Sequence, residues 1–293
     1  MLLPAALLPA IDAGRAYDEF AAQYDQLLTE NRINAFMRRE TTRTLFATFT
    51  RGSRLIELGC GTGDEAISLA LRGCEVIACD PSRKMIEIAE AKAVEQGVGR
   101  NIRFFVSRAA DLRASRQQLA KAGPLDGGYA SFSLSYEPDL APVSEVLSSL
   151  IRPSGRFVIA SMNRLCGTEL ALALLAGRPG LAGRRLRRET LHKVGQFATA
   201  VFPRTPDETI RAFRPHFVLE HLRALPAILP PHYANRTLAK WPGMLDFLAW
   251  ADSYIASYPL VRRLGDHSLF RFRRTESDAC NALDKSRNAS RIR

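Results

Sequence analysis

The stretch Leu55-Ile56-Glu57-Leu58-Gly59-Cys60-Gly61-Thr62-Gly63 decides how this chain is read. An apolar run carrying one acid breaks into a loop with glycine at every second position, and a helical pattern from Asp64 to Leu71 follows at once. Glycine admits positive φ and lets a ligand approach main-chain N–H groups that a Cβ would shield. The helix N-terminus behind the loop favours a negatively charged ligand group. A dinucleotide fingerprint would space its glycines G-x-G-x-x-G to seat a pyrophosphate. Here they fall at Gly59, Gly61 and Gly63, with Glu57 two residues ahead. A fixed carboxylate there repels pyrophosphate and can act, through the loop or through water, on a cationic ligand.

Working outward, Cys74-Glu75-Val76-Ile77-Ala78-Cys79-Asp80 reads as a second apolar strand ending in an acid. Asp80 stands where nucleoside-binding α/β folds place an acceptor for ribose hydroxyls. Together, the E-x-G-x-G-x-G spacing and the second-strand acid resemble class I S-adenosylmethionine-dependent methyltransferases. The resemblance spans Tyr17 to Asn163. It implies that Glu57, Gly59, Cys60, Gly61 and Gly63 form the loop beside the methionine part of S-adenosylmethionine, and that Asp80 holds the ribose. Pro81 and Met85 would lie beside the adenine. Upstream, Ala16-Tyr17-Asp18-Glu19-Phe20-Ala21-Ala22-Gln23-Tyr24-Asp25 resembles the Y-D-x-x-A-x-x-Y-D segment of small-molecule methyltransferases similar to the quinone-biosynthesis enzymes. That likeness implies a leading helix closing over the cofactor, with Tyr24 on the cofactor and Tyr17 toward the acceptor. The plainer reading is that Tyr17, Phe20 and Tyr24 form an apolar helical stripe.

One departure concerns adenine. After the third strand, Ile102 to Val106, the family places an acid followed by alanine; here Arg108 precedes Ala109. Asp111 either takes the acid's role or leaves the base to the Ala109 backbone, and Arg108 could stack on it as guanidinium planes do.

Strand patterns at Arg54–Leu58, Glu75–Cys79, Ile102–Val106, Gly128–Phe132 and Arg156–Ser161 alternate with helical patterns, and this predicts a parallel sheet covered on both faces. Later strand patterns fall at Phe217–Leu225 and His267–Phe272. With the resemblance, the expected fold is α/β: a Rossmann-like, doubly wound, seven-stranded sheet with its last strand antiparallel and helical cap insertions. The expected organisation is a loose extension over 1–15, a methyltransferase domain over 16–274, and a disordered tail over 275–293. The insertions run from about 164 to 206 and from 226 to 265. Both leave the carboxyl ends of strands, where open α/β sheets bind ligands, so both are expected to cap the pocket. Bulky groups crowd the second, including Trp241, Phe247, Trp250, Tyr254 and Tyr258; they suit an apolar or aromatic acceptor or simply pack the cap.

Acceptor-side residues are placed by position after the fourth strand. The resemblance puts Ser131 at the cofactor and Ser133, Tyr136 and Glu137 around the acceptor, with His232 and Tyr233 in the second insertion as further contacts. An oxygen or carbon acceptor needs proton removal. His267, preceded by Asp266, and Tyr136 are the catalytic candidates. Adjacent strand residues point to opposite faces, so the sequence alone does not pair Asp266 with His267.

Composition fits an enzyme with an ample core: 46% of residues are hydrophobic over 293 positions. Five cysteines show no C-x-x-C pairing and no zinc spacing, so no metal is expected and a reducing, cytoplasmic setting is. The net charge of +11 and the run Arg184-Arg185-Leu186-Arg187-Arg188 raise the alternative of a nucleic-acid (RNA) methyltransferase. Ser131-Phe132-Ser133-Leu134-Ser135-Tyr136 lacks the Asp/Asn-Pro-Pro-Tyr motif of base-amine enzymes, so a small-molecule acceptor is expected and nucleic acid is not. The basic run would then be a solvated face or meet an anionic substrate or a peripheral membrane surface. A non-catalytic S-adenosylmethionine-binding protein is a further alternative.

Overall fold

The computed structural model describes residues 8–114, 119, 123–177, 184–231, 235 and 240–276. Helix α1, Ala13–Glu30, starts where the Asp12 carboxylate accepts the Gly14 N–H at 2.8 Å. Asn31 ends it and caps α2, Arg32–Thr48, accepting from the N–H groups of Ile33 and Asn34, both at 3.1 Å. Such caps satisfy donors that the first helical turn leaves open. The expected loose extension is therefore shorter than 1–15: the helix begins before Ala16, and Ala10 pairs with Ala198.

Five parallel strands follow: β1 Arg54–Leu58, β2 Glu75–Asp80, β3 Ile102–Val106, β4 Leu125–Ser131 and β5 Ile151–Met162. Between them run α3 Asp64–Leu71, α4 Arg83–Glu95 and α5 Ala141–Leu150. Strand β5 begins before the expected Arg156 and takes in Arg152 to Gly155. There Ser154 takes φ +64°, and the pairing with β4 skips between Leu125 and Gly127. Then come α6 Gly167–Leu175, the short strands β6 Thr190–Val194 and β7 Phe197–Val201, α7 Pro206–Phe213, β8 Phe217–Leu225, α8 Pro242–Ile255 and β9 His267–Arg274. The seven-stranded sheet has the order β3-β2-β1-β4-β5-β9-β8, with β9 antiparallel to both neighbours.

Strands β1 and β4 are apolar on both sides because helices cover both faces, as parallel sheets require. On one face Leu55 and Val76 pack with Ile33, Phe36 and Leu45 of α2 and Leu69 of α3. On the other, Ile56, Leu58 and Ile159 pack with Val143 and Leu147 of α5 and Phe213 of α7. The sheet is doubly wound, and the carboxyl ends of β1, β2, β4 and β5 open on one side.

The two insertions differ from the helical caps expected. Within the first lies a hairpin: β6 and β7 pair antiparallel across Gly195-Gln196, where Gly195 has φ +58°. Positive φ at that position is what a two-residue hairpin turn needs. In the second, α8 buries Leu245 and packs Leu248 and Ala249 into the cluster holding Ile33, Phe36 and Met37 of α2. Asp246 pairs with Arg32 at 2.6 Å. The buried Asp252 accepts the N–H groups of Ala227 at 2.6 Å and Ile228 at 2.7 Å, which fixes α8 to the segment after β8. At the other end, Thr275 belongs to the sheet edge and not to the tail: its N–H and Oγ1 both donate to the His216 carbonyl at 3.0 Å. The rest of the expected tail, beyond Glu276, lies outside the described residues, as do residues 1–7.

Candidate functional site

One cavity of about 430 Å³ lies at the carboxyl end of the sheet. Its floor is the β1–α3 loop (Gly59, Cys60, Gly61) with Asp80, Pro81 and Met85. Gly59 has φ +72°, and a Cβ there would lie 2.2 Å from that of Ser133, so no other residue fits. Asp80 organises this floor. Its Oδ2 accepts the Gly61 N–H and its Oδ1 the Ser82 N–H, both at 2.9 Å. Burial pushes its carboxyl up to about 6 against those two hydrogen bonds, which pull it down.

Three expected cofactor residues do not reach the cavity. Glu57 is fully buried beneath the loop, where Oε2 accepts from the Tyr129 hydroxyl at 3.1 Å. Burial, reinforced by Glu65, raises its carboxyl well above the usual range. Gly63 faces away: φ is +82°, and a Cβ there would sit 2.9 Å from that of Ala89 on α4. Its glycine is demanded by helix packing. Asp111 is exposed and also misses the cavity, which Arg108 and Ala109 line. Arg108 pairs with Asp12 of the N-terminal segment at 2.6 Å.

Helix α1 forms one wall with Tyr17, Phe20 and Tyr24, whose rings meet edge to face. Both aspartates of the Tyr17–Asp25 segment bolt this wall to the floor. Asp18 accepts from Ser82 Oγ at 2.6 Å and from the Lys84 N–H at 3.0 Å. Asp25 accepts from Thr62 Oγ1 at 2.5 Å and from Lys92 Nζ at 2.9 Å. The Tyr17 hydroxyl meets that of Tyr136 at 2.7 Å, joining α1 to the segment after β4. Burial pushes Tyr136 up to about 12, so at neutral pH it is a hydroxyl and not a phenolate.

Helix α2 contributes Asn31, Asn34 and Arg38, none of which the sequence reading picked out. Arg38 Nη2 pairs with Glu65 at 2.7 Å and Asp64 at 3.2 Å. Asn34 and Arg38, one helical turn apart, were the available signal. The end of β4 supplies Ser131, Phe132 and Ser133. Ser133 Oγ donates to the Leu58 carbonyl, so it locks the loop more than it faces an acceptor. Ser131 Oγ is buried in the cavity wall without a protein partner. Glu137 also lines the cavity; burial raises its carboxyl, with Arg108 opposing.

The far wall is the β6–β7 hairpin, through His192, Lys193, Val194 and Val201. It is held by the Ala10–Ala198 bridge and by the Phe202 N–H donating to the Ser135 carbonyl at 2.7 Å. No described residue of the second insertion lines the cavity, contrary to the expectation that both insertions would; α2 stands between α8 and the pocket. His232 and Tyr233 lie outside the described residues.

His267 lines the cavity, edge to face with Phe132 at 5.4 Å between ring centres. Its Nδ1 lies 2.9 Å from Asp266 Oδ2. The other carboxylate oxygen, Oδ1, takes Arg185 Nη2 at 2.7 Å, and Arg185 Nε reaches Glu169 at 2.6 Å. So Arg185 is buried, and the basic run around it is not a uniform solvated face. Cys166, Glu169 and Asp266 lie as close together as metal ligands would, but the Arg185 guanidinium already bridges the two carboxylates.

The fold, a seven-stranded sheet with its last strand antiparallel, is that of class I S-adenosylmethionine-dependent methyltransferases, and the site at its carboxyl end is similar to theirs. Residues 55–155 match a family described as methyltransferase domain. Among curated proteins, the chain is 28% identical over 141 residues to a ubiquinone biosynthesis O-methyltransferase of Xanthomonas axonopodis pv. citri, covering 48% of this chain and 55% of that protein. A second, from Aeromonas salmonicida, is 31% identical over 113 residues, 39% of this chain and 44% of that protein. The chain thus spans about half the length of the curated relatives it matches. Among solved structures, a putative S-adenosylmethionine-dependent methyltransferase from Listeria monocytogenes superposes with TM-score 0.57 at 16% identity, covering 84% of this chain and all of that one. Geranyl diphosphate methyltransferase in complex with S-adenosylmethionine superposes at 0.55 and 18% identity, covering 92% and 97%. At these identities the structural likeness concerns the fold. Among the described residues, no helix is long and apolar enough to cross a membrane.

Proposed function

We propose that the protein transfers the methyl group of S-adenosylmethionine to a small, partly apolar or aromatic acceptor through a hydroxyl that His267 deprotonates. The carrying observation is that a single cavity joins the Gly59–Gly61 floor and Asp80 to His267 with its Asp266 partner. The curated relatives named above are O-methyltransferases, which agrees with an oxygen acceptor.

The residues present fit the donor. Asp80 retains acceptor capacity for ribose hydroxyls beyond the two N–H groups it holds. Arg38 offers a cation for an α-carboxylate, and the orphan Ser131 Oγ offers a hydrogen bond. Ala109, Pro81 and Met85 make an apolar slot for the base, with Arg108 across it. Bound there, S-adenosylmethionine supplies an activated methyl on a sulfonium.

The protein's own part is positioning, dehydration and proton removal. With Asp266 ionised, the proton of His267 sits on Nδ1, and Nε2 presents its lone pair. The acceptor O–H gives its proton to Nε2 as its oxygen lone pair takes the methyl carbon. Held by Asp80, Arg38 and Ser131, S-adenosylmethionine would supply that methyl group and keep the carbon–sulfur electron pair as a thioether. Arg185, paired with the other carboxylate oxygen, holds Asp266 in its orientation, a positioning role. Tyr17 and Tyr136 orient the acceptor, and the α1 wall excludes water. Val194 and Val201 give the acceptor side its apolar character.

Titration calorimetry with S-adenosylmethionine and S-adenosylhomocysteine, followed by label transfer to a panel of phenolic and alkyl alcohols, tests this reading. Binding of both ligands with turnover on at least one acceptor supports it. Absence of binding defeats it. Tight binding without turnover on any acceptor replaces it with a non-catalytic donor-binding protein.

A further inference from the structure

Helix α8 carries large apolar residues on two opposite sides, and only one of them is covered. Leu245, Leu248, Ala249 and Asp252 turn inward. On the opposite side Phe247, Trp250 and Tyr254 recur at helical spacing and remain 62%, 58% and 65% exposed. Their rings touch in a continuous row, with centroids 5.8 Å and 5.1 Å apart. Trp241 at the helix start and Tyr258 and Leu260 beyond its end extend the exposed strip. A soluble helix normally turns polar groups outward, so this face is shaped for a partner.

We propose that the outer face of α8 and the turn after it dock the protein on an anionic phospholipid surface. Residue type argues for lipid: Trp and Tyr pair an apolar ring with a polar tip and settle at the headgroup level. Neighbouring features carry the strip further. The Gly167 N–H donates to the Leu264 carbonyl at 2.8 Å, joining the turn to α6, whose Leu170, Leu174 and Leu175 are exposed. Arg185 ties the basic run to Glu169 of α6 and to Asp266, which brings the exposed Arg187 and Arg188 to the same region. Exposed Lys240 precedes Trp241. Asp246, on the flank of the row, is already paired with Arg32. Cations bordering an aromatic strip fit anionic headgroups. The net charge of +11 also opposes a second copy of the same basic molecule on that face.

The test is co-sedimentation of the full chain with vesicles of phosphatidylcholine alone and of phosphatidylcholine mixed equally with phosphatidylglycerol. Both tryptophans of the chain, Trp241 and Trp250, lie on this face, so their emission should shift to the blue on the mixed vesicles. The triple variant Phe247→Ser, Trp250→Ser, Tyr254→Ser should lose at least about tenfold in vesicle binding, since three rings no longer leave water. Its melting curve and S-adenosylhomocysteine affinity, read on the same preparations, should match the parent and so separate docking from folding and from the donor site. The single variant Trp250→Ser provides a milder second reading, with an intermediate loss. Equal binding by parent and triple variant, or no binding to the mixed vesicles, overturns the proposal. A parent dimer in sedimentation velocity that the triple variant dissolves, without vesicle binding, also overturns it and gives the face to a second copy.

Discussion

The two insertions depart from the same end of one sheet and reach opposite ends in function. The β6–β7 hairpin turns inward and presents His192, Lys193, Val194 and Val201 to the cavity. Helix α8 turns outward, separated from the cavity by α2, and holds its aromatic row to solvent. What differs is the backing each finds. The hairpin's edge is caught by the N-terminal segment and the Ser135 carbonyl, whereas Asp252 anchors α8 to residues 227 and 228. Aromatic richness therefore does not identify an acceptor pocket; the anchoring hydrogen bonds decide which way an insertion faces.

Substitutions can break or sharpen that contrast. The largest effect is expected on the inner side at His267, which shares the cavity with the hairpin. His267→Ala should lower kcat by about 10²–10⁴-fold, the usual worth of a general base, with S-adenosylhomocysteine affinity retained in calorimetry. Next, Asp80→Ala should weaken that affinity by about 100-fold through loss of charge-assisted hydrogen bonds. The pH dependence carries the same signature. Its carboxyl, pushed up to about 6, is an ionised acceptor above that pH and a neutral acid below it. Affinity should fall as pH drops through about 6, and Asp80→Asn should lose that step. Within the hairpin, Val201→Ala should raise the acceptor KM by about three- to tenfold while leaving donor affinity alone, because it removes apolar contact on one side of the cavity only. Smallest of all, Trp250→Ser should leave kcat and KM within about twofold in vesicle-free assays. A tenfold rise in acceptor KM from Trp250→Ser would erase the distinction between the insertions.

The floor of the candidate site was legible in the sequence because it is local. Glycines forced by backbone geometry and an acid at a strand end lie within one β–α–β unit, as Gly59, Gly61 and Asp80 do. Glu57 and Gly63 belonged to the same motif, yet the first is buried under the loop and the second packs on α4, so motif membership did not separate contact from support. Arg38 was hidden because an arginine on a charged helix looks solvated until Glu65 is brought against it from another element. The Asp266–His267 pair was misleading for a different reason. Alternation governs neighbours inside a strand, but Asp266 precedes β9, where its N–H donates to the Pro226 carbonyl, and its side chain is free of the pleat. The facing of α8 was unreadable in principle: with apolar residues on both sides, periodicity names no inner face.

Phe132 holds φ +64° at the end of β4, and its ring meets His267 edge to face. For a lineage drifting by single substitutions, this position is nearly closed. Valine or isoleucine would meet a backbone region that β-branched residues avoid. Glycine would relax the backbone and remove the ring that stands beside the imidazole. Asparagine or histidine could adopt the backbone, but each would put a polar group in place of an apolar edge. Changes of acceptor are therefore more readily explored on the hairpin than here, and the hairpin is where a designer should begin.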